Sequence, residues 1–222
     1  MNKPLKIITF SITGLLVLST AYFAGLIVYQ RAETPHKYEF AVSQVKNPVS
    51  RSDLSDWQLE ALLAIQDPQF FVHSGTDFSG GVMTTITQSL AKSLYFDNFK
   101  PGVAAKFKQS LLARFSLGPV ISKEDQLDLF LGSVYLGHVG GGRAVNGFHE
   151  AANFYFQKTL TELTSAEFLS LLATLPAPNR IGPHADPEAN ALQAARIERL
   201  VNGECSRAGM WHGHRLNCPE DA

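Results

Sequence analysis

Between Ile7 and Tyr29 the chain reads IITFSITGLLVLSTAYFAGLIVY, without a charged residue. A hydrocarbon core about 30 Å thick is crossed by roughly 20 apolar residues in a helix, so this run predicts one transmembrane segment. Lys3 and Lys6 precede it, and the positive-inside rule then keeps the N-terminus cytoplasmic and exports the rest of the chain. The competing reading is a cleaved signal peptide with Ser19-Thr20-Ala21 as its small-residue site. The apolar run continues through Tyr22 to Tyr29, where a signal peptide turns polar, and this favours a retained anchor.

After the anchor about 190 residues remain, enough for one domain with a proper core and short of two. With 19 basic and 20 acidic residues, no excess of charge argues for nucleic acid. Cys205 and Cys218 lie close together near the end of the chain, and an oxidising compartment suggests one local disulfide. Cys205, His212, His214 and Cys218 are all zinc-ligand types, but their spacing fits no zinc pattern, and no metal site is expected there. Trp211 reads as a packing residue of the stapled tail.

Helical signals dominate the exported part, and no stretch sustains strand alternation. Gln30 to Ser50 is polar without a period and reads as a juxtamembrane connector. Ser55 and Gln58 form a capping box ahead of Trp57, Ala61, Leu62 and Ile65, and Pro68 ends that helix at Gln66-Asp67. Gly75, Gly80 and Gly81 mark a loop. Ile86, Leu90 and Leu94 then make an apolar stripe, with Thr85, Gln88 and Lys92 on a polar one. Beyond Pro101-Gly102, Phe107, Leu111 and Phe115 are expected on a buried face, with Lys106, Ser110 and Arg114 stacked along another row. Ser122 caps a helix holding Leu127, Phe130, Leu131 and Val134. Gly140 to Gly142 form a turn, and His149 to Phe156 reads as a short helix. Thr164 and Glu167 box a helix that stops at Pro176, and Asp186-Pro187 opens the last one. The resulting plan is an all-α protein: 1–30 cytoplasmic end and anchor, 31–50 connector, 51–200 helical domain, 201–222 cysteine-paired tail.

Two segments carry candidate chemistry. From Asn98 to Ile121 there is no acidic residue, yet Lys100, Lys106, Lys108 and Arg114 fall there. The bland reading is a solvated basic face. Beside the Thr85-Gln88-Lys92 stripe, however, these cations suit phosphate oxygens. Asp67, His73 and Asp77 cluster near glycine turns. They suit an acid/base or metal site, or simply satisfy helix ends and loop amides.

These residues together resemble glycosyltransferase family 51, the peptidoglycan polymerases of bifunctional penicillin-binding proteins and monofunctional transglycosylases. The family motif E-D-x-x-F-x-x-H-x-G-x-D stands here as Gln66-Asp67, Phe70, His73, Gly75 and Asp77. G-G-S-T-I-T-Q-Q-L-x-K-N stands as Thr84-Thr85-Ile86-Thr87-Gln88-Ser89-Leu90-Ala91-Lys92-Ser93. S-K-x-x-I-L-x-x-Y-L-N is echoed by Ser122-Lys123, Leu127, Phe130-Leu131 and Gly132. Ala151-Ala152, Tyr155-Phe156, Lys158, Leu163-Thr164, Glu167 and Pro176-Ala177-Pro178 come after these in the family's order. The likeness covers about Leu54 to Pro183.

It implies a lysozyme-like helical domain that acts on lipid II from a single-pass position in the cytoplasmic membrane, facing the periplasm. It implies binding through Thr85, Thr87, Gln88, Lys92, Lys106, Lys108 and Arg114, with Mg²⁺ or Mn²⁺ accompanying the substrate diphosphate. Lipid-linked precursor, glycan chain and cell-wall synthesis proteins are the implied partners. The departures fall on the chemistry. The family's general base is Gln66 here, an amide that takes no proton near neutral pH, and the second glutamate becomes Ser110. The loop between Asp77 and Thr84 is also shorter than the family's. Asp77 or His73 are the remaining candidates for a base, Asp67 being turned about 100° away on a helix. Three functions are consistent with this pattern: a divergent glycosyltransferase, a pseudoenzyme that binds precursor or a partner, and, least favoured, a lysozyme-type hydrolase, which needs an acid where Gln66 stands.

Overall fold

A computed structural model describes residues 3–77, 82, 84–138, 142–207 and 216–219, with side chains from Ser11 onward. Gly80, Gly81, the rest of the Asp77–Thr84 loop apart from Val82, Gly140, Gly141, Trp211, His212 and His214 lie outside the described residues.

The anchor run belongs to a longer helix than the sequence suggests. Helix α1 spans Lys3–Gln44, 42 residues, or about 63 Å at 1.5 Å per residue. That is about twice a bilayer core, so the stretch read as a connector is helical to Gln44. Pro35 lies within it and contributes no N–H to the ladder. Contacts with the domain hold this second half in place. The Thr34 hydroxyl lies 2.6 Å from the Tyr95 hydroxyl, Lys37 Nζ donates to the Leu94 carbonyl at 3.4 Å, and the Tyr38 hydroxyl donates to the Asp125 carbonyl at 3.3 Å. Burial pushes the Tyr95 phenol up to about 12, so it stays a neutral partner of Thr34.

The domain is a cluster of short helices: α2 (Asp56–Gln66), α3 (Ile86–Tyr95), α4 (Val103–Leu112), α5 (Lys123–Ser133), α6 (Phe148–Phe156), α7 (Ser165–Thr174) and α8 (Pro187–Val201). Their starts are dictated locally. Ser55/Gln58, Thr85/Gln88 and Thr164/Glu167 form reciprocal capping boxes, Ser122 caps α5, and Asp186 caps α8 with Pro187 in its first turn. Each cap satisfies N–H groups that a helix start would leave orphaned. Leu62, Ile65, Phe70, Ile86, Phe130, Phe148 and Phe168 fill one continuous core. Helix α7 packs on α8 and α2, while α3 packs on α4 and α5.

Two small antiparallel pairs complete the fold. Strands β1 (Tyr135–His138) and β2 (Ala144–Asn146) make a hairpin edge too short to show alternation in sequence. Strands β3 (Ser206–Arg207) and β4 (Leu216–Asn217) pair in the tail, where Cys205 and Cys218 are disulfide-bonded with Cα atoms 4.6 Å apart.

One helix face differs from expectation. Phe107 and Phe115 are exposed, and the buried face of α4 and the π-helical turn Ala113–Leu117 carries Gln109, Leu112, Ala113, Ser116 and Leu117 instead. Phe107 meets the ring of Phe23 edge-on at 5.3 Å, and Ser116 Oγ donates to the Ile27 carbonyl at 3.2 Å. Val103, Phe107 and Phe115 are exposed on this part of the domain, and of the three Phe107 is the one whose ring meets the apolar run.

Candidate functional site

The site is built where α2 ends and α3 begins. Asp67 ends α2 at a non-helical backbone angle (φ −164°, ψ 79°), as Pro68 requires of the residue before it. A tight turn then returns His73 to Asp67, with the ring Nε2 2.9 and 3.0 Å from the two carboxylate oxygens. The Gly75 N–H donates to His73 Nδ1 at 2.9 Å, so Nδ1 is the acceptor and Nε2 carries the hydrogen that Asp67 receives. The Ile86 N–H at the start of α3 donates to the same carboxylate at 2.9 Å. Asp67 is wholly buried. His73, one of the two candidate bases, is therefore committed with Asp67 within the fold, in a latch that joins the end of α2 to the start of α3.

Gly75 explains how the loop fits. Its φ is +122°, and a Cβ there would lie 2.4 Å from the Ala113 carbonyl oxygen, so the loop seats directly against the π-helical turn. The Thr85 hydroxyl donates to the Gly75 carbonyl at 2.8 Å. Asp77 is partly buried where the described loop ends.

Above this latch lies a cleft of about 440 Å³ lined by Gln66, Thr84, Lys92, Ser93, Tyr135 and Pro178 among others. None of its described lining residues is acidic. Gln66 Nε2 donates to the Thr84 carbonyl at 3.3 Å, and Lys106 Nζ donates to the Thr84 hydroxyl at 2.6 Å. Burial and the neighbouring Lys92 cation both pull the Lys106 ammonium below its ordinary value. Lys92 in the lining and Lys106 on its Thr84, with no carboxylate among the described lining residues, favour an anion at this end of the cleft.

The other candidate residues divide sharply. Thr85 and Gln88 spend their groups on the capping box, and Gln88 Nε2 donates to Ser110 Oγ at 2.8 Å. Ser110 passes its hydrogen to the Lys106 carbonyl at 2.9 Å. Thr87 is buried and donates to Gln126 Oε1 at 2.7 Å. Lys108 sits over the Phe96 ring, 5.1 Å from its centroid, and Arg114 over that of Phe115 at 5.8 Å; neither lines the cleft. Of the expected binding residues, Lys92 lines the cleft and Lys106 is joined to it through the Thr84 hydroxyl, while Thr85, Thr87 and Gln88 are held in hydrogen bonds within the protein.

Three residues near the site emerge only from the fold. Lys123 Nζ lies 4.3 Å over the Phe70 ring and 3.4 Å from the Thr87 hydroxyl. Burial pushes its ammonium down to about 8 against the opposing pull of Asp67. Its place in the Ser122-Lys123 motif was the available signal. The tail brings Arg207 back so that its guanidinium donates to the Ala64 carbonyl in the last turn of α2, and burial lowers it to about 10. Asn179, after Pro178, meets Tyr135 and His138 from β1.

No group of three or more His, Cys, Asp or Glu among the described residues is arranged to hold a metal ion. The described lining of the cleft offers such an ion no carboxylate.

Comparison with known proteins bears on this geometry. A family model described as Transglycosylase matches residues 79–202, more than half of the chain, beginning just after Asp77. Penicillin-binding protein 1A of Neisseria cinerea is 35% identical over 153 residues, 62% of this chain and 18% of that protein. Penicillin-binding protein 1F of Bacillus subtilis is 29% identical over 174 residues, 72% of this chain and 23% of that protein. A Cupriavidus necator protein named "Putative transglycosylase" is 31% identical over 164 residues, 66% of this chain and 68% of that protein. The aligned part thus spans about a fifth of those two penicillin-binding proteins and about two thirds of the Cupriavidus protein.

Proposed function

Because the chain belongs to the transglycosylase family, we propose that its cleft binds a polyprenyl-diphosphate-linked glycan of the lipid II class without polymerising it. One observation carries this reading. The positions of both family carboxylates hold neutral groups bonded within the protein, Gln66 to the Thr84 carbonyl and Ser110 to Gln88 and Lys106, while Lys92 lines the cleft and Lys106 bonds to Thr84 in that lining. Charge recognition survives where proton abstraction has lost its acceptor.

The anchor supports the same reading. Helix α1 is long and apolar enough to cross a membrane, and its packing against α3 and α4 holds the domain close to the bilayer. A diphosphate at the headgroup level then reaches Lys92 and Lys106 while its polyprenyl tail stays in lipid beside Val103, Phe107 and Phe115. In this reading the domain faces the periplasm. Any Mg²⁺ or Mn²⁺ travels with the phosphate oxygens of the ligand.

The test uses the full chain in lipid nanodiscs with fluorescent lipid II. The expected result is saturable binding without glycan polymer, with binding lost in Lys92→Ala. Polymer made by the unmodified chain, and absent from Lys92→Ala, would overturn the reading. The double variant Gln66→Glu/Ser110→Glu restores both carboxylates and is expected to bring back measurable polymerisation.

A further inference from the structure

The hairpin at the rim of the cleft contains a bulge. Tyr135 pairs with Asn146 and His138 with Ala144, so three steps along β1 face two along β2, and β1 holds one extra residue. Gly137 lies inside it with φ +127°, and a Cβ there would stand 2.3 Å from the Tyr155 hydroxyl oxygen. That hydroxyl donates to the Leu136 carbonyl at 2.8 Å and holds the bulge down.

The bulge has a consequence for side-chain direction. In a regular strand, residues three apart point to opposite faces. Here Tyr135 and His138 converge on one atom: the Tyr135 hydroxyl donates to Asn179 Oδ1 at 2.6 Å, and His138 Nδ1 lies 2.9 Å from the same oxygen. An amide oxygen only accepts, so with Asn179 in this orientation Nδ1 is the protonated nitrogen. The neutral imidazole then keeps an acceptor lone pair on Nε2. His138 is exposed, and Nε2 has no hydrogen-bond partner among the described residues. Tyr135 and Pro178, the residues that carry this cluster, line the same cleft as Lys92.

We infer that His138 reads the sugar end of the ligand, its Nε2 accepting a hydrogen bond from a glycan hydroxyl or acetamido N–H while Asn179 fixes the ring. This rests on the proposed function and divides its ligand in two: the lysines hold the diphosphate, and the bulged rim recognises the glycan. Neither His138 nor Asn179 bonds to Lys92, Lys106 or Thr84 among the described residues, so the two halves are separable by mutation.

The experiment measures Kd for two ligands in nanodiscs, a lipid-linked disaccharide and the same polyprenyl diphosphate without sugar. His138→Ala is expected to weaken disaccharide-lipid binding about tenfold, the loss of one well-placed hydrogen bond, and to leave the sugar-free ligand unchanged. Asn179→Ala, a positioning change, should give a smaller loss confined to the sugar-bearing ligand, and His138→Gln should recover part of the affinity through its amide oxygen. Binding of the sugar-free ligand reports that each variant is folded. Equal affinities of wild type and His138→Ala for the disaccharide lipid overturn the inference alone, as does an equal loss for both ligands. A wild-type chain that binds neither ligand overturns the proposed function and this inference with it.

Discussion

The carboxylate of Asp67 is enclosed by the His73 ring and the Ile86 N–H, whereas Gln66, the residue before it, spends one amide hydrogen on Thr84 and borders the open cleft. Both are polar and nearly inaccessible, yet one organises the backbone and the other lines the space a ligand enters. The same division separates Thr85, Thr87 and Gln88 from Lys92 and Lys106. Residues that sit together in a motif can therefore serve two purposes, and only the hydrogen-bond partners tell them apart. Changes in the latch should cost stability, and changes in the cleft should cost binding.

The largest effect is expected at Asp67. Asp67→Ala leaves the His73 and Ile86 donors buried without their acceptor, a loss of about 3–5 kcal/mol. Urea unfolding followed by circular dichroism measures it. An Asp67→Ala protein as stable as wild type would erase the distinction between latch and cleft. Next comes the tail. Opening the Cys205–Cys218 loop by Cys205→Ser/Cys218→Ser should cost about 2–3 kcal/mol by the loop-closure model. Hydrogen exchange should then rise at the end of α2, where Arg207 contacts the Ala64 carbonyl. Protection that stays unchanged there would confine the tail's influence to itself.

Lys106→Met sharpens the other side of the comparison. The variant loses one hydrogen bond to Thr84 and also the crowding of Lys106 against Lys92. These partly offset, and the expected change in stability is within about 0.5 kcal/mol. Affinity for a polyprenyl diphosphate should fall about tenfold, as for loss of one charge-assisted contact. A stability loss as large as that at Asp67 would move Lys106 into the latch.

Much of the scaffold was legible because its signals are local. Ser55/Gln58, Thr164/Glu167 and Asp186-Pro187 each determine a helix start from within four residues, and α2, α7 and α8 begin where those residues say. Hydrophobic patterning was legible too, but it reports exclusion from water and not what replaces the water. The pattern therefore predicts Phe107 and Phe115 in the protein core, whereas both are exposed and Phe107 meets Phe23 of the apolar run. The second half of α1 gave no periodic signal because isolated contacts hold it, Thr34 with Tyr95 and Tyr38 with the Asp125 carbonyl. At the site, Lys92 and Gln66 could be placed from their motifs. His138 could not, since its direction depends on one extra residue in a strand and a partner 41 positions away.

The smallest effect expected is a pH dependence at Lys123, which sits over the Phe70 ring and is attracted by Asp67 of the latch. Its ammonium is pushed from an ordinary 10.5 down to about 8 in the folded protein, first by burial. Between those values the unfolded chain binds the proton and the folded chain does not, so unfolding takes up a proton and stability rises with pH. Relative to ordinary lysine behaviour, the group destabilises the fold most fully below about 8, and this penalty fades as pH climbs towards 10.5. Lys123→Met removes the titration while keeping an unbranched side chain over Phe70. The difference in unfolding free energy, wild type minus Lys123→Met, should therefore increase steadily from about pH 8 to about pH 10. Because the ammonium is only partly buried and Asp67 attracts it, the increase is modest. A difference that is flat over this range would show that Lys123 titrates as it does in the unfolded chain, and would return it to the solvated side of the molecule.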